Sequence, residues 1–215
     1  MRISFFLIFF IIVSCQPYFK KKILPQEFFK KTNNSFFIEG KFKIKRSNYG
    51  FFGNFQVIKL KDSIRLDIFT PFYSPLLSFV KKDNSNLILY QNGSIYKEEE
   101  SIKIIKKLLP AGLNLDAFIA ILGNQSWFIP FNRYYIKENK NEYHIWLMDK
   151  KGRQQEIWIN KINLKTKKFI LKNSMEEILC KVSFHYEKNK IKSINIIDMF
   201  GTKFKITYES FRKMP

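Results

Sequence analysis

The sequence predicts a mainly β fold with two or three helices, in which a curved antiparallel sheet forms an incomplete, unclosed β-barrel covered by a helical lid. Three observations predict it. Apolar and polar residues alternate with a period of two along most of the chain, as they do in half-buried antiparallel strands. Turn residues interrupt this alternation at short intervals. Midway along the chain the period changes to that of two short amphipathic helices.

Six strands are expected in the first half of the chain. In the first of them Phe36, Ile38 and Phe42 share one face, while lysines and a glutamate share the other. The dipeptide Asn92-Gly93 is a strong turn signal between the last two. The six strands run from Phe36 to Lys45, Gly50 to Lys59, Ser63 to Phe69, Leu76 to Lys82, Asn86 to Gln91 and Ser94 to Lys97.

Two amphipathic helices are expected next. The first runs from Ser101 to Leu109, after the acidic residues Glu98 to Glu100 and with lysines near its end, as the helix dipole favours. The second runs from Asn114 to Leu122, and Gly123 provides its stop. Each helix must lay its apolar stripe on a larger apolar surface, and one face of the sheet offers that surface.

Seven strands are expected after the helices, separated by turn signals such as Lys151-Gly152 and Phe200-Gly201. Roughly a dozen consecutive antiparallel strands are more than most flat open sheets hold without curling, so the helices would cover a concave face. These strands run from Tyr134 to Lys137, Glu142 to Asp149, Gln154 to Asn160, Lys168 to Leu171, Ile178 to Tyr186, Lys192 to Asp198 and Lys203 to Tyr208.

The first residues predict export. Arg2 precedes an apolar run from Ile3 to Val13, which is too short for a membrane span of about 20 residues. The ending Ile12-Val13-Ser14-Cys15 resembles the lipobox of bacterial lipoproteins, which implies cleavage before Cys15 and a lipid on its sulfur; the alternative is an ordinary signal peptide that contains a cysteine. The expected parts are a lipoprotein signal peptide (1–14), a lipidated tether (15–25) and one folded domain (26–215) that opens with a short helix from Gln26 to Lys31.

The charge of the chain indicates its partners. There are 38 Lys and Arg against 18 Asp and Glu, a formal net charge of +20, which favours anionic surfaces such as phospholipid headgroups or nucleic acid. Export argues against nucleic acid, and a compositional bias towards lysine accounts for the charge equally well. With Cys15 lipidated, Cys180 has no disulfide partner and is predicted to be a small buried core residue.

No catalytic constellation is recognisable in the sequence. His144 and His185 lie in strand-like alternation without the spacing of metal ligands, so structural roles are expected for both. Gly-rich phosphate loops and Gly-x-Ser-x-Gly elbows are missing from the sequence. We therefore expect a protein that is not an enzyme and that uses neither a cofactor nor a metal.

One turn is apolar where turns are usually polar. Pro71 and Pro75 cannot donate to a sheet ladder, so they bound a projecting connection from Pro71 to Ser74 with Phe72 and Tyr73 at its tip. An apolar loop tip marks an interaction site more often than a scattered hydrophobic residue does.

Five segments of the chain follow one another in a recognisable order. They are the opening strand Ile38 to Ile44, the loop Thr70-Pro71-Phe72-Tyr73, Leu108-Leu109-Pro110 with Leu113 to Gly123, Glu156 to Ile159, and Gly201 to Ile206. This order resembles the LolA/LolB group of periplasmic lipoprotein carriers and outer-membrane lipoprotein receptors, and it is closer to the lipid-anchored LolB, with the loop in place of a Ser-Pro-Leu-Gly-like sequence. The resemblance implies an unclosed barrel whose helices cover a cavity for acyl chains and, as in the receptor of that group, an apolar loop that helps to deliver lipoproteins into the membrane.

The resemblance implies two sites. Phe72 and Tyr73 would form a membrane-inserting loop, with Leu76 as a helper, although Tyr73 stands where the group often has glycine. Inward strand residues and the helix stripe would line the acyl-chain cavity. The candidates are Ile38, Phe42, Ile64, Leu66, Phe79, Leu115, Phe118 and Ile119.

The expected function is that of a membrane-anchored lipoprotein that binds acyl chains and receives or inserts lipoproteins, or lipids, at the periplasmic side of the outer membrane. Gln16 lacks the aspartate that commonly signals inner-membrane retention in the resembled pathway. The expected partners are membrane lipid through acylated Cys15, acyl chains of lipoproteins or phospholipids as cargo, and a periplasmic LolA-like carrier. The alternative is a lipid-anchored envelope scaffold, or protein-binding domain, with a filled core and no transport role.

Overall fold

The computed structural model describes residues 35–82, 86–91 and 93–214. Within them, thirteen strands form one antiparallel sheet, and two α-helices lie between its sixth and seventh strands in sequence. The expected fold class, a mainly β protein with a curved sheet that does not close into a barrel, is confirmed. The predicted signal peptide, Cys15, the tether and the helix from Gln26 to Lys31 lie outside the described residues. Neither helix in the described part of the chain is long and apolar enough to cross a membrane.

Six strands precede the helices and seven follow them, as predicted. The strands of the first half are β1 (Phe36–Arg46), β2 (Tyr49–Lys59), β3 (Ser63–Phe69), β4 (Pro75–Lys82), β5 (Asn86–Gln91) and β6 (Ser94–Lys97), and the helices are α1 (Glu98–Leu108) and α2 (Leu115–Leu122). The strands of the second half are β7 (Arg133–Glu138), β8 (Glu142–Met148), β9 (Gln154–Asn160), β10 (Thr166–Lys172), β11 (Ile178–Glu187), β12 (Lys190–Asp198) and β13 (Lys203–Lys213).

Both helices begin at residues other than those predicted. α1 begins at Glu98 rather than Ser101, because acidic side chains are favourable inside the first turn of a helix as well as before it. α2 begins at Leu115, since Asn114 has extended backbone angles and its side chain accepts a hydrogen bond from the backbone N–H of Ala117 at 2.8 Å. Asn114 is therefore the N-cap of α2.

The strand order places the two sheet edges at the helices. Along the sheet the order is β6-β5-β4-β3-β2-β1-β13-β12-β11-β10-β9-β8-β7, so β6 and β7 are the edge strands. The chain leaves one edge after β6, passes through α1 and α2, and begins the other edge with β7. All strand neighbours are consecutive in sequence except β1 and β13, which join the two halves. The segment of chain that links the two edges thus contains both helices.

α2 is the central element of the core. It is apolar on more sides than an amphipathic helix, because Ala117 and Ile121 are as fully buried as Ile119, while Phe118 of the predicted stripe is only partly buried. A helix that is apolar nearly all round lies inside a protein. Apolar side chains from both halves of the sheet join α2 in one cluster.

Several strands hold α2 at its ends. The hydroxyl of Tyr208 on β13 donates to the carbonyl oxygen of Leu122 at 2.6 Å. Lys81 on β4 contacts the carboxylate of Asp116 at 2.9 Å. Gly123 ends the helix directly against the ring of Phe36, where a Cβ atom would lie only 2.4 Å from a ring carbon. These contacts fix α2 relative to the middle of the sheet.

Candidate functional site

The apolar loop between β3 and β4 has a defined geometry. The backbone N–H of Thr70 donates to the carbonyl oxygen of Ser74 at 2.8 Å, and that of Tyr73 donates to Thr70 at 3.0 Å. The buried side chain of Asn54 donates to the carbonyl oxygens of Thr70 and Pro71 at 3.1 and 3.2 Å. The loop is therefore held from within the sheet while its tip points outward.

The tip of this loop is exposed. The side chain of Phe72 is 90% accessible and that of Tyr73 is 59% accessible. β4 begins at Pro75 rather than Leu76, because a proline is tolerated as the first residue of a strand. Leu76 is half-buried and lies on the strand face opposite to buried Phe79. The structure thus places Phe72 and Tyr73 together at the tip and Leu76 at the base.

Tyr73 has a positive φ of 61°, in the left-handed region that favours glycine. Glycine, which the resemblance described above associates with this place in the loop, would adopt this backbone angle without strain. The sequence alone could not show whether this chain keeps the same turn, because tyrosine rarely adopts it.

The eight predicted acyl-chain residues belong to one apolar cluster on the concave face of the sheet. Five of them are buried, and three are partly buried against the same cluster. Three of them belong to α2 itself, and the other five lie on strands β1, β3 and β4. The buried residues are Ile38, Leu66, Phe79, Leu115 and Ile119, and the partly buried ones are Phe42, Ile64 and Phe118.

α1 is less buried than α2. It packs on the edge strand β6 and on its neighbour β5. Ile105 is buried beneath it, and the buried hydroxyl of Ser101 donates to the carbonyl oxygen of Tyr96 at 2.7 Å. Ile102 and Leu108 remain exposed on its outer side. Elements with few buried contacts open at lower free energy than the core does, so α1 is the more easily displaced helix.

A pocket of about 540 Å³ lies on the other face of the sheet, over β3, β4 and β5. Its cationic residues are Arg65 and Lys82, and Arg65 also pairs with Asp67 at 2.8 Å. The sequence analysis did not single out this site, since alternation shows only that these residues face away from the core. The remaining lining residues are Ser78, Val80, Ile88 and Tyr90.

His144 lies between two indole rings on the outer face of β8 and β9. Its ring centroid is 3.4 Å from that of Trp146 and 4.1 Å from that of Trp158. Burial lowers the pKa of His144 from 6.5, and this outweighs the carboxylate of Glu156, which lies 3.3 Å away and raises it. The expected structural role is consistent with this packing, because the ring fills the space between two aromatic neighbours.

Cys180 is fully buried in the core, as predicted. Burial raises the pKa of its thiol to about 12, so the thiol is not reactive in the folded protein at neutral pH. In the described residues, no group of three or more His, Cys, Asp and Glu side chains lies close enough together to hold a metal ion.

Known proteins resemble this chain in structure rather than in sequence. No known protein-family profile matches the sequence. No curated protein matches it either.

Three crystal structures have the same architecture over most of their length. A LolA superfamily protein from Nitrosomonas europaea covers 90% of this chain and 96% of its own, with a TM-score of 0.63 at 13% identity. A DUF1329 family protein from Desulfovibrio piger covers 85% and 87%, with a TM-score of 0.62 at 11% identity. An outer membrane lipoprotein-sorting protein domain, so described for Vibrio parahaemolyticus, covers 88% and 90%, with a TM-score of 0.58 at 10% identity. This chain therefore has the fold of LolA superfamily proteins.

Proposed function

We propose that this protein is a lipid-anchored envelope protein that holds acyl chains on the concave face of its sheet and receives or inserts lipoproteins, or lipids, at the outer membrane. The observation that carries the proposal is a sheet that stays open between its edge strands β6 and β7, with α2 packed among apolar side chains from both halves of the sheet. The shared fold with a lipoprotein-sorting protein domain supports it.

Acyl chains would enter by displacing helices rather than by filling an empty space. The predicted cavity residues share one packed apolar cluster with both helices, so a bound chain takes the place of contacts that α2 or α1 now makes. Each buried methylene contributes about 0.8 kcal/mol, so two acyl chains supply enough free energy to offset the lost packing. α1 is the helix we expect to move, because it packs mainly on β5 and β6 at one edge of the sheet and leaves Leu108 exposed.

The β3–β4 loop would transfer the acyl chains to the membrane. Phe72 and Tyr73 form an exposed aromatic tip on a backbone that hydrogen bonds hold in place. Aromatic side chains are favourable at the boundary between water and lipid. Cys15 would keep the protein at that boundary through its lipid, and a periplasmic LolA-like carrier would supply the cargo.

Native mass spectrometry tests this function directly. The protein is purified from membranes in a mild detergent, and bound lipid is extracted and identified. We expect phospholipid or acylated peptide at about one per protein, apart from any lipid attached to Cys15. Replacing the partly buried Phe118 by Asp should remove this lipid, because a carboxylate next to acyl chains is costly.

Ile162→Asp is the matched control, because Ile162 is 91% exposed and lies in the β9–β10 connection, away from the concave face. It should keep the bound lipid. Thermal unfolding of both variants shows whether each is folded. A protein that carries no lipid and takes up none on titration would contradict the carrier function.

A second candidate function is a lipid-anchored scaffold or protein-binding domain with a filled core. The close packing of the eight predicted cavity residues with α2 favours it. An absence of bound lipid, together with salt-sensitive capture of a partner protein by the basic surface, would support this function.

A further inference from the structure

Exposed aromatic or apolar side chains lie in or beside three neighbouring connections at the same end of the sheet. Antiparallel strands alternate in direction, so the β3–β4, β1–β2 and β12–β13 connections follow one another along one end of the sheet. Tyr49 is 83% exposed and Phe200 is 59% exposed, beside the loop that carries Phe72. We name this set the apolar rim, which comprises Tyr49, Phe52, Phe72, Tyr73, Met199 and Phe200.

The opposite end of these strands differs in composition. The β2–β3 connection contains Lys61 and Asp62, with Leu60 exposed beside them, and the β11–β12 connection contains Lys188 and Asn189. The aromatic side chains are thus concentrated at one end. A cluster of this kind, which a soluble surface rarely exposes, indicates an interaction site.

Lysines accumulate on the outer face next to the apolar rim. Lys43 stands directly opposite Lys205, and Lys45 stands directly opposite Lys203, on the paired strands β1 and β13. All four are exposed, and they have no ion-pair partner among the residues that the structure describes. Like charges directly opposite each other destabilise a sheet. An anionic partner would remove this repulsion.

Cationic and aromatic groups meet at this end of the molecule. Phe52 is paired with Lys43 in the register of β1 and β2. The guanidinium of Arg46 lies over the ring of Phe200, 5.4 Å from its centroid. Aromatic side chains flanked by Lys and Arg are the composition of surfaces that bind the interface of an anionic bilayer.

We propose that the apolar rim and the four lysines together form a docking surface for membranes that contain anionic phospholipid. The aromatic side chains enter the headgroup region, and the lysines contact lipid phosphates. Each lysine near such a surface strengthens binding roughly fivefold. The biological use of this docking surface rests on the proposed function, because it is the face on which the carrier would meet the membrane. Docking itself needs no acyl-chain cavity.

Site-specific labelling of the anchored protein tests the docking surface. An environment-sensitive fluorophore is attached to Asn48→Cys in the β1–β2 turn or, as the control, to Ile162→Cys at the opposite end of the sheet. Cys180 does not compete, because it is fully buried. The labelled proteins are reconstituted into vesicles of phosphatidylcholine alone or with phosphatidylglycerol, and brominated lipids serve as quenchers.

We expect the Asn48→Cys label to shift to the blue and to be quenched in vesicles with phosphatidylglycerol, while the Ile162→Cys label stays water-exposed. Replacing Phe52 and Phe200 by Ser should abolish this change. Replacing the four lysines by Gln should return the label to water in anionic vesicles, because each lysine removed lowers the docking equilibrium constant several-fold. Equal signals from the two label sites, or a rim label that stays in water in both vesicle types, would overturn the proposal and leave a protein partner for this surface.

The outcome separates this inference from the carrier function. A docked rim in a protein that binds no lipid in native mass spectrometry supports docking and contradicts the carrier. Bound lipid in a protein whose apolar rim stays in water supports the carrier function and contradicts docking of the rim.

Discussion

Tyr73 shows how one backbone angle shapes the surface of this protein. Its φ of 61° costs a residue other than glycine on the order of 1 kcal/mol. The ring remains mostly exposed, with its centroid 6.2 Å from that of Phe69, so packing within the protein offsets little of this cost. An aromatic side chain that is strained and exposed is better explained by a partner outside the protein than by folding.

The first prediction concerns this loop. Replacing Phe72 and Tyr73 by Glu should abolish the transfer of a lipoprotein to vesicles, because two carboxylates at the tip oppose entry into the bilayer. The melting temperature and the amount of bound lipid should not change, since both side chains are exposed. Transfer is measured as the fraction of a labelled lipoprotein recovered with the vesicles.

The chain contains a matched control for this experiment. Ile162 and Leu164 are also exposed, and Leu164 has a similar positive φ of 55°. They lie in the β9–β10 connection at the opposite end of the sheet. Replacing both by Glu should leave transfer intact. Equal loss of transfer in the two double variants would show that the effect is not specific to the β3–β4 loop.

His144 gives a prediction for the pH dependence of stability. Burial between Trp146 and Trp158 holds its pKa below 6.5, so the unfolded chain binds this proton more readily than the folded protein does. The free energy of unfolding should therefore fall as the pH is lowered through 6.5. His144→Phe keeps an aromatic ring in place and removes the titration. Urea denaturation between neutral and mildly acidic pH should show a smaller loss of unfolding free energy for the variant than for the unaltered protein. An equal loss in both proteins would contradict the lowered pKa of His144.

At the scale of single elements, α2 is positioned by the absence of a side chain at Gly123. A Cβ atom there would lie 2.4 and 2.5 Å from two carbons of the Phe36 ring. Phe36 is only 1% exposed, so its ring has little room to move. The close approach of the helix end to β1 thus requires glycine.

Gly123→Ala should lower the free energy of unfolding by about 1–3 kcal/mol, the usual cost of overpacking a core. Gly50→Ala is the control, because its Cβ atom would make only an ordinary contact, 3.8 Å from the carbonyl oxygen of Ile44. Chemical denaturation measures both. A loss for Gly123→Ala no larger than that for Gly50→Ala would show that α2 can shift away from Phe36 without cost.

Local patterns were sufficient to predict the elements and not the surfaces they form. Alternation with a period of two, together with turn signals, predicted all thirteen strands, because most of them have one face toward the core and one toward solvent. The sequence analysis predicted only the Phe72 and Tyr73 part of the docking surface. Tyr49 and Phe200 lie about 150 residues apart in sequence and become neighbours only through the pairing of β1 with β13. For the same reason the pocket beside Arg65 was not predicted, since it depends on how three strands curve together.

At the scale of the whole molecule, the predicted acyl-chain residues illustrate what a sequence can place. Their inward direction follows from strand and helix periodicity, and all eight lie in one cluster. Whether that cluster opens for a ligand depends on the balance between the packing of α1 and the burial of acyl chains. This balance is a small difference between large free energies, and no local pattern encodes it.

The pairing of β1 with β13 also determines when the sheet can be completed. Every other strand pairs with a neighbour in sequence, so two separate meanders can form early from local contacts. Only this pairing, which matches Phe36 with Lys213, connects them. Until β13 has emerged, β1 and β12 both present open backbone edges of the kind that aggregate. We therefore expect folding to finish only after nearly the whole chain has been synthesised, so that an incomplete chain depends on chaperones to keep these open edges from aggregating.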